Sequence, residues 1–450
     1  MFKTPVAKNN PKAVFGWCMY DWANSAYVTT VAVGLLPIYF ASVVVGSEGI
    51  VIRNTHYSAT AIWGFTVGTA SLITFILAPV LGAIADFTNT KKRFLLFFAY
   101  TGSLFTILLY FSEKGDIWRT VVFFIIAQVC FISANVFYDA FLPHIVTRDK
   151  MDMVSGKGFA YGYIGGGIQF ALSFALIAFH KRLCISQAQA VRIGILTAGL
   201  WWAFFTLFLA KNLIEIPSNS YSESKANPKK HSFLHYTRIG FIRVVETAKH
   251  VRRFKHLVLF LFAYMFYNDG IQTVINMATI YGKDELNLPT TTLLLTLLMV
   301  QVVASVGAIA FSKISERFGT KKTVMLTLIL WSIIVLCAYF VKTTKGFIGI
   351  GIMIGTVMGG SQALSRSFYG SIIPKEASAE FYGFYNIFTK FSAIWGPFIF
   401  ATVHQVTGTA RNSILSVVVL FLLGFLILCF VDEKKARKSE GLDLFNGHIS

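Results

Sequence analysis

A helix needs roughly 20 consecutive apolar residues to cross a bilayer core about 30 Å thick. This chain of 450 residues holds twelve such stretches, near 16–45, 61–86, 94–112, 118–142, 158–179, 192–213, 257–281, 291–312, 323–341, 346–371, 382–403 and 412–431. In hydrocarbon the backbone has no water to bond, so each stretch must satisfy itself as a helix. The chain therefore reads as an all-α polytopic membrane protein. Composition excludes the alternatives. Only 14% of residues are charged, against about 25% in a soluble domain, and the mean hydropathy is +0.63. A net charge of +19 would suit a nucleic-acid binder, but that hydropathy excludes a soluble one, and a disordered chain with it. Five cysteines in a chain of this length make no disulfide framework. Lys3, Lys8 and Lys12 give the first apolar run the look of a signal peptide, yet Asp21 and Asn24 interrupt it and eleven spans follow. It reads as a retained first span.

The basic charge sets orientation. With the N-terminus inside, 28 of the 40 Lys and Arg fall in cytoplasmic segments and 10 on the other side, while Arg366 and Lys390 lie within spans. The positive-inside rule then predicts that both termini are cytoplasmic. A long polar interval divides the chain into an N-terminal six-helix bundle (1–213), a cytoplasmic linker (214–256), a C-terminal six-helix bundle (257–432) and a cytoplasmic tail (433–450). In the linker, Phe241, Val245 and Ala248 oppose Arg243, Lys249, Arg252, Arg253 and Lys255. That pattern suits a basic amphipathic helix on an anionic leaflet and equally a solvated tether.

The halves repeat one another. Asp86-Phe-Thr-Asn-Thr-Lys91-Lys92 after span 2 matches Glu316-Arg-Phe-Gly-Thr-Lys321-Lys322 after span 8, with Asp86 to Glu316 and Lys91 to Lys321 both 230 residues apart. Phe137-Tyr138-Asp139 with Pro143, and Phe368-Tyr369-Gly370 with Pro374, recur at 231. Two six-span halves related by an axis along the membrane normal are the architecture of major facilitator transporters, with the substrate site between them. The Gly82, Asp86 and Lys91-Lys92-Arg93 series resembles that superfamily's signature loop. An acid at a helix end beside cations can act as a breakable latch; Asn89 stands where the family has Gly, and also tolerates a left-handed turn.

Several strings resemble one branch, the autophagy-linked vacuolar amino-acid effluxers and their bacterial relatives of unassigned substrate. They are Tyr20-Asp21-Trp22-Ala23-Asn24-Ser25-Ala26-Tyr27, Tyr267-Asn268-Asp269-Gly270, the run from Gly359 through Gln362 and Ser365 to Arg366, and Glu380-Phe-Tyr382-Gly383-Phe-Tyr385. The resemblance implies a bacterial inner membrane or, in a eukaryote, a vacuolar-type one. It also implies export of neutral amino acids.

Charged groups at membrane depth cost about 2.5–3.5 kcal/mol near a span centre, so they should face protein or a watery cavity. Asp21, Asp139, Asp269, Arg366 and Lys390 are the five such residues, and four lie on spans 1, 4, 7 and 10, which by superfamily analogy line the cavity. On span 7, Tyr264, Asn268, Gln272 and Asn276 form one helical stripe with Asp269 and Thr273 beside it. Asp269 suits a substrate ammonium or a proton; polar glue between helices is the other reading. On span 10, Gln362, Ser365, Arg366 and Tyr369 share a face. Arg366 can bind a substrate carboxylate bidentately or pair with Asp139 to close the cytoplasmic side. Asp21 and Lys390 can join that network, and Asn24 and Tyr27 complete the candidate binding set. The candidate gate comprises Asp21, Asp139 and Arg366 with Asp86, Lys91, Lys92, Arg93, Glu316, Lys321 and Lys322. Gly158, Gly162 and Gly166, like Gly351, Gly355 and Gly359, form small-residue ridges for close helix packing. His144 reads as an interfacial residue.

The expected function is secondary transport of a small polar solute by alternating access. An amino acid or related zwitterion is favoured because both charge signs are available, with coupling protons as a further partner. Efflux of organic cations, for which Asp269 alone suffices, is the rival. A non-transporting scaffold or receptor is the alternative of another class. No nucleophile–base pair or metal-ligand spacing points to an enzyme, a cofactor or a metal site, and no G-x-x-x-x-G-K-[ST] loop points to ATP. The expected partners are the solute and the bilayer, with no nucleic acid, and the protein is expected to be a monomer.

Overall fold

The computed structural model describes residues 8–46, 49–52, 54–215, 240, 242, 254–392 and 395–438. The linker pattern from Phe241 to Arg253, and the tail beyond residue 438, lie outside them.

The chain is a bundle of long apolar helices: α1 (Pro11–Val45), α2 (Ala59–Thr88), α3 (Lys91–Phe111), α4 (Ile117–Ile145), α5 (Arg148–Ala178) and α6 (Gln187–Asn212) in one half. The other half holds α7 (Lys255–Asp284), α8 (Thr290–Phe318), α9 (Thr320–Phe340), α10 (Thr344–Ile372), α11 (Ser378–Phe391), α12 (Trp395–Thr407) and α13 (Ala410–Cys429). Among the described residues eleven helices are long and apolar enough to cross a membrane. The eleventh expected stretch, 382–403, is divided between α11 and α12. A short hairpin, β1 (Ile50–Ile52) with β2 (Thr55–Tyr57), follows α1.

Successive spans alternate in direction, with α11 and α12 counted together as one. Asn9 N–H bonds Ile145 O where α1 begins and α4 ends, and Gly115 N–H bonds Val44 O at the opposite face. The face where α1 begins and α13 ends is the terminal face. Large apolar side chains such as Phe97, Val306, Phe340 and Phe398 stand exposed on the outside, as expected where the solvent is hydrocarbon. Trp17, Tyr138, Trp202, Tyr267, Trp331 and Tyr382 fill the interior.

The halves meet along two seams, α2 against α11 and α5 against α8, which the sequence repeat relates to each other. Each seam has a glycine at its closest approach. A Cβ on Gly82 would lie 2.6 Å from the Ala379 carbonyl carbon, and one on Gly156 would lie 2.8 Å from Ala308 O. The glycine ridges serve other pairs: Gly162 and Gly166 pack α5 on α1 at Ser25, while Gly355 and Gly359 pack α10 on α8.

Candidate functional site

The interior charges form two groups. Near the terminal face, Arg366 of α10 inserts into the opposite half. Its Nη1 donates to Asp21 Oδ2 at 3.0 Å and to Asp139 Oδ1 at 3.4 Å; Nε donates to Ser155 Oγ at 3.0 Å and Nη2 to Ser155 O at 2.9 Å. Tyr138 OH donates to Asp21 Oδ2 at 2.8 Å. The guanidinium is caged by aromatic rings, 4.1 Å from the Phe159 centroid and 4.7 Å from that of Trp17, an arrangement that favours a cation. Gly158 makes room, since a Cβ there would lie 2.8 Å from Nη2. This buried ion cluster joins one half to the other. Beside it, Tyr163 OH donates to Gln362 Oε1 at 2.6 Å across the same divide.

The signature loop forms a second joint at the same face. Asp86 Oδ2 accepts the backbone N–H of Glu380 in the first turn of α11, and Oδ1 lies 2.7 Å from Lys91 Nζ. Lys91 Nζ also donates to Ser378 Oγ at 3.0 Å, and His144 Nε2 lies 3.0 Å from the same hydroxyl. A carboxylate on a helix N-terminus satisfies an orphan donor and opposes the positive dipole end. Lys92 Nζ donates to Ala210 O at 2.7 Å and Leu213 O at 2.6 Å, tying α3 to the end of α6. Arg93 is exposed.

The second copy departs from the 230-residue alignment. Asn89 and Thr90 separate α2 from α3, whereas Gly319 alone separates α8 from α9. Lys321, not Lys322, therefore holds the position of Lys92 and donates to Cys429 O and Val431 O at the end of α13. Glu316 and Lys322 are exposed. Instead, Asp152 of α5 accepts from Thr320 Oγ1 at 2.7 Å and from Ser367 Oγ.

The other interior group lies where α11 gives way to α12. Asp269 places both carboxylate oxygens 2.9 Å from the backbone N of Gly396, at the N-terminus of α12. Asn268 Nδ2 donates to Ser392 Oγ at 2.5 Å. The two neighbours on α7 thus clasp both sides of the interruption. Thr273 is buried against Gly396, and its hydroxyl has no partner among the described residues. Tyr264 OH accepts from Thr389 Oγ1 at 3.2 Å. Along the α7 stripe burial falls steadily: Tyr264 and Asn268 are buried, Gln272 is half-buried and Asn276 exposed. The polar stripe opens away from the terminal face.

Asp269 is 2% exposed and engaged in capping, so it stands apart from Arg366. Asn24 and Tyr27 are bonded within their own half, to Asn135 at 2.7 Å and Gln128 at 2.9 Å. Lys390, near the end of α11, is half-buried, and its amine makes no hydrogen bond or ion pair among the described residues. Ser155, Ser378 and Ser392 escaped the sequence reading, because hydroxyls are common in such spans and nothing in their spacing marks them. His144 had a signal, its place beside Pro143 at a span end, but was read as interfacial.

A family model described as "Vacuole effluxer Atg22 like" matches residues 9–441. The "Uncharacterized MFS-type transporter YxiO" of Bacillus subtilis is 36% identical over 93% of this chain and 94% of its own. "Autophagy-related protein 22" of Saccharomyces cerevisiae (strain S288c) is 24% identical over 97% of this chain and 94% of its own. Among solved structures, the proton:xylose symporter XylE superposes with a TM-score of 0.67 at 13% identity, covering 95% of this chain and 96% of XylE. The major facilitator transporter FucP in its outward conformation gives 0.65 at 13%, covering 94% and 99%. These likenesses establish the fold.

Proposed function

The chain belongs to the family described as Vacuole effluxer Atg22 like, and from that membership we propose that it moves a small polar solute across its membrane by alternating access. An amino acid or a related zwitterion is the substrate class we favour. The terminal face is the cytoplasmic one in this reading, as the positive-inside count requires. The state described is closed there and open, along the α7 stripe, toward the other side.

One observation carries the substrate assignment, the contrast between two cations. Arg366 is consumed by Asp21, Asp139 and Ser155, which makes it a gate residue rather than a carboxylate clamp. Lys390 has no anion among the described residues, although an uncompensated charge within a span costs about 2.5–3.5 kcal/mol on insertion scales. Such a cost is offset when a substrate carboxylate binds. Asp269 and Asn268 shape the site by holding the interruption between α11 and α12, and Gln272 extends it toward the open side. An unpaired cation disfavours the rival reading, efflux of organic cations. The test is uptake into proteoliposomes of labelled amino acids and, separately, of organic cations, with and without a pH gradient. Saturable amino-acid transport supports the reading; transport of organic cations alone, or of nothing, refutes it.

A further inference from the structure

The ion cluster at the terminal face does not balance. Two carboxylates, Asp21 and Asp139, converge on one nitrogen of one guanidinium, with side chains only 13%, 11% and 5% exposed for Asp21, Asp139 and Arg366. With both acids ionised, the closed interface would bury a net negative charge, which low-dielectric surroundings penalise strongly. The two acids are held unequally. Asp21 accepts from both Tyr138 and Arg366 through Oδ2, whereas the Asp139 carboxylate has a single hydrogen bond among the described residues, at 3.4 Å.

We propose that Asp139 binds one proton when the terminal face closes and releases it when that face opens. This deepens the transport reading and rests on it for its purpose, though not for its test. The step balances simply. In the open state Arg366 has withdrawn with its own half, and Asp21 and Asp139 face water as carboxylates. Closing brings the guanidinium between them and takes one proton from that aqueous phase onto Asp139. The closed cluster is then neutral, with Asp21 and Arg366 as the ion pair. The titratable and charged groups that act on Asp139 include Asp21 from α1 and Tyr138 on its own helix, with Cys18 beyond them beside Asp21 and Arg366, and Lys157 of α5 beside Cys18. Tyr264 of α7, Arg366 of α10, and Tyr382 and Tyr385 of α11 complete the set. Lys157 is exposed and leaves the buried count unchanged.

The experiment measures the gate directly, without a substrate. Spin labels at Lys150→Cys and Arg317→Cys, exposed positions on opposite halves, report terminal-face separation in reconstituted protein whose exposed cysteines 184, 337 and 429 are serine. One linked proton shifts the open-to-closed ratio about tenfold per pH unit within its window. The long-distance population should therefore rise with pH in the otherwise unmodified protein. Asp139→Asn should make it flat from pH 5 to 9, and so should Asp21→Asn, because either change removes the surplus acid. The second variant keeps the test alive if the first does not fold. His144→Gln should leave the dependence in place. A flat response in the unmodified protein, an unchanged response in Asp139→Asn or Asp21→Asn, or a flat one in His144→Gln overturns the proposal. None of these outcomes bears on whether the chain transports amino acids, which the uptake assay decides.

Discussion

Asp86 and Glu380 lie 294 positions apart in sequence, yet the carboxylate of one receives the backbone N–H of the other at 2.8 Å. The contact spans the seam between the halves, and Lys91 neutralises the remaining oxygen. Removing Asp86 would strand a buried ammonium, a change that typically costs about 3–5 kcal/mol. Asp86→Ala is therefore expected to lower the thermal unfolding midpoint in detergent markedly. Asp86→Ala with Lys91→Met should recover part of the loss, because no unpaired charge remains. A single variant with an unchanged midpoint would show that the pair does not hold the seam.

Gly82 offers a sharper test of the same seam, because the obstruction would be backbone rather than a movable side chain. An alanine Cβ there would meet Ala379 O, and would lie 2.8 Å from Glu380 N. Overpacking strain of about 1–3 kcal/mol is enough to depopulate the closed arrangement about tenfold. Gly82→Ala should slow transport by that order while expression is maintained. Gly64→Ala and Gly68→Ala, on the same helix with open space around them, should behave as the unmodified protein. Equal transport rates for all three would refute the close-approach argument.

The bundle was legible because hydrocarbon leaves the backbone few choices, and apolar length alone marks eleven of the crossings. The interruption of the eleventh stretch was not. Residues 382–403 read as one apolar stretch despite Asn386, Thr389, Lys390 and Ser392, and the break is held from outside by Asn268 and Asp269. Its one local trace is Gly396 before Pro397, a pair that disfavours helix. Polar residues on α7 were legible as a stripe, but a stripe does not say whether its members face solute or cap a neighbouring helix. Lys92 and Lys321 show a different limit. Their equivalence depends on one linker residue fewer in the second copy, which a fixed sequence offset passes over.

Glu215 follows α6 outside the spans, and burial pushes its carboxyl up to about 7, against the opposing pull of the Lys92 N–H that it accepts. The protonated form is thus favoured in the folded chain. Its stabilising contribution is complete below the unfolded value of about 4.3 and is lost as pH rises through about 7. The unfolding midpoint should fall between pH 5 and 8 more steeply in the unmodified protein than in Glu215→Gln. Superimposable profiles would remove Glu215 from the account.

Lys390 separates binding from folding more cleanly than any other residue of the site. A side chain that stabilises the fold through a partner costs stability when it is removed, but Lys390 has no ion pair among the described residues. Lys390→Met keeps the volume roughly and removes an uncompensated charge. Its thermal midpoint should equal or exceed that of the unmodified protein, while zwitterion transport is lost. Lys390→Arg keeps the charge but moves its centre and changes its donor geometry, so it should bind the solute more weakly without destabilising the protein. The check is uptake kinetics beside unfolding midpoints for the same two variants. Lower stability in Lys390→Met would reveal a structural partner for the amine, and transport at the unmodified rate would sink its role as the carboxylate site.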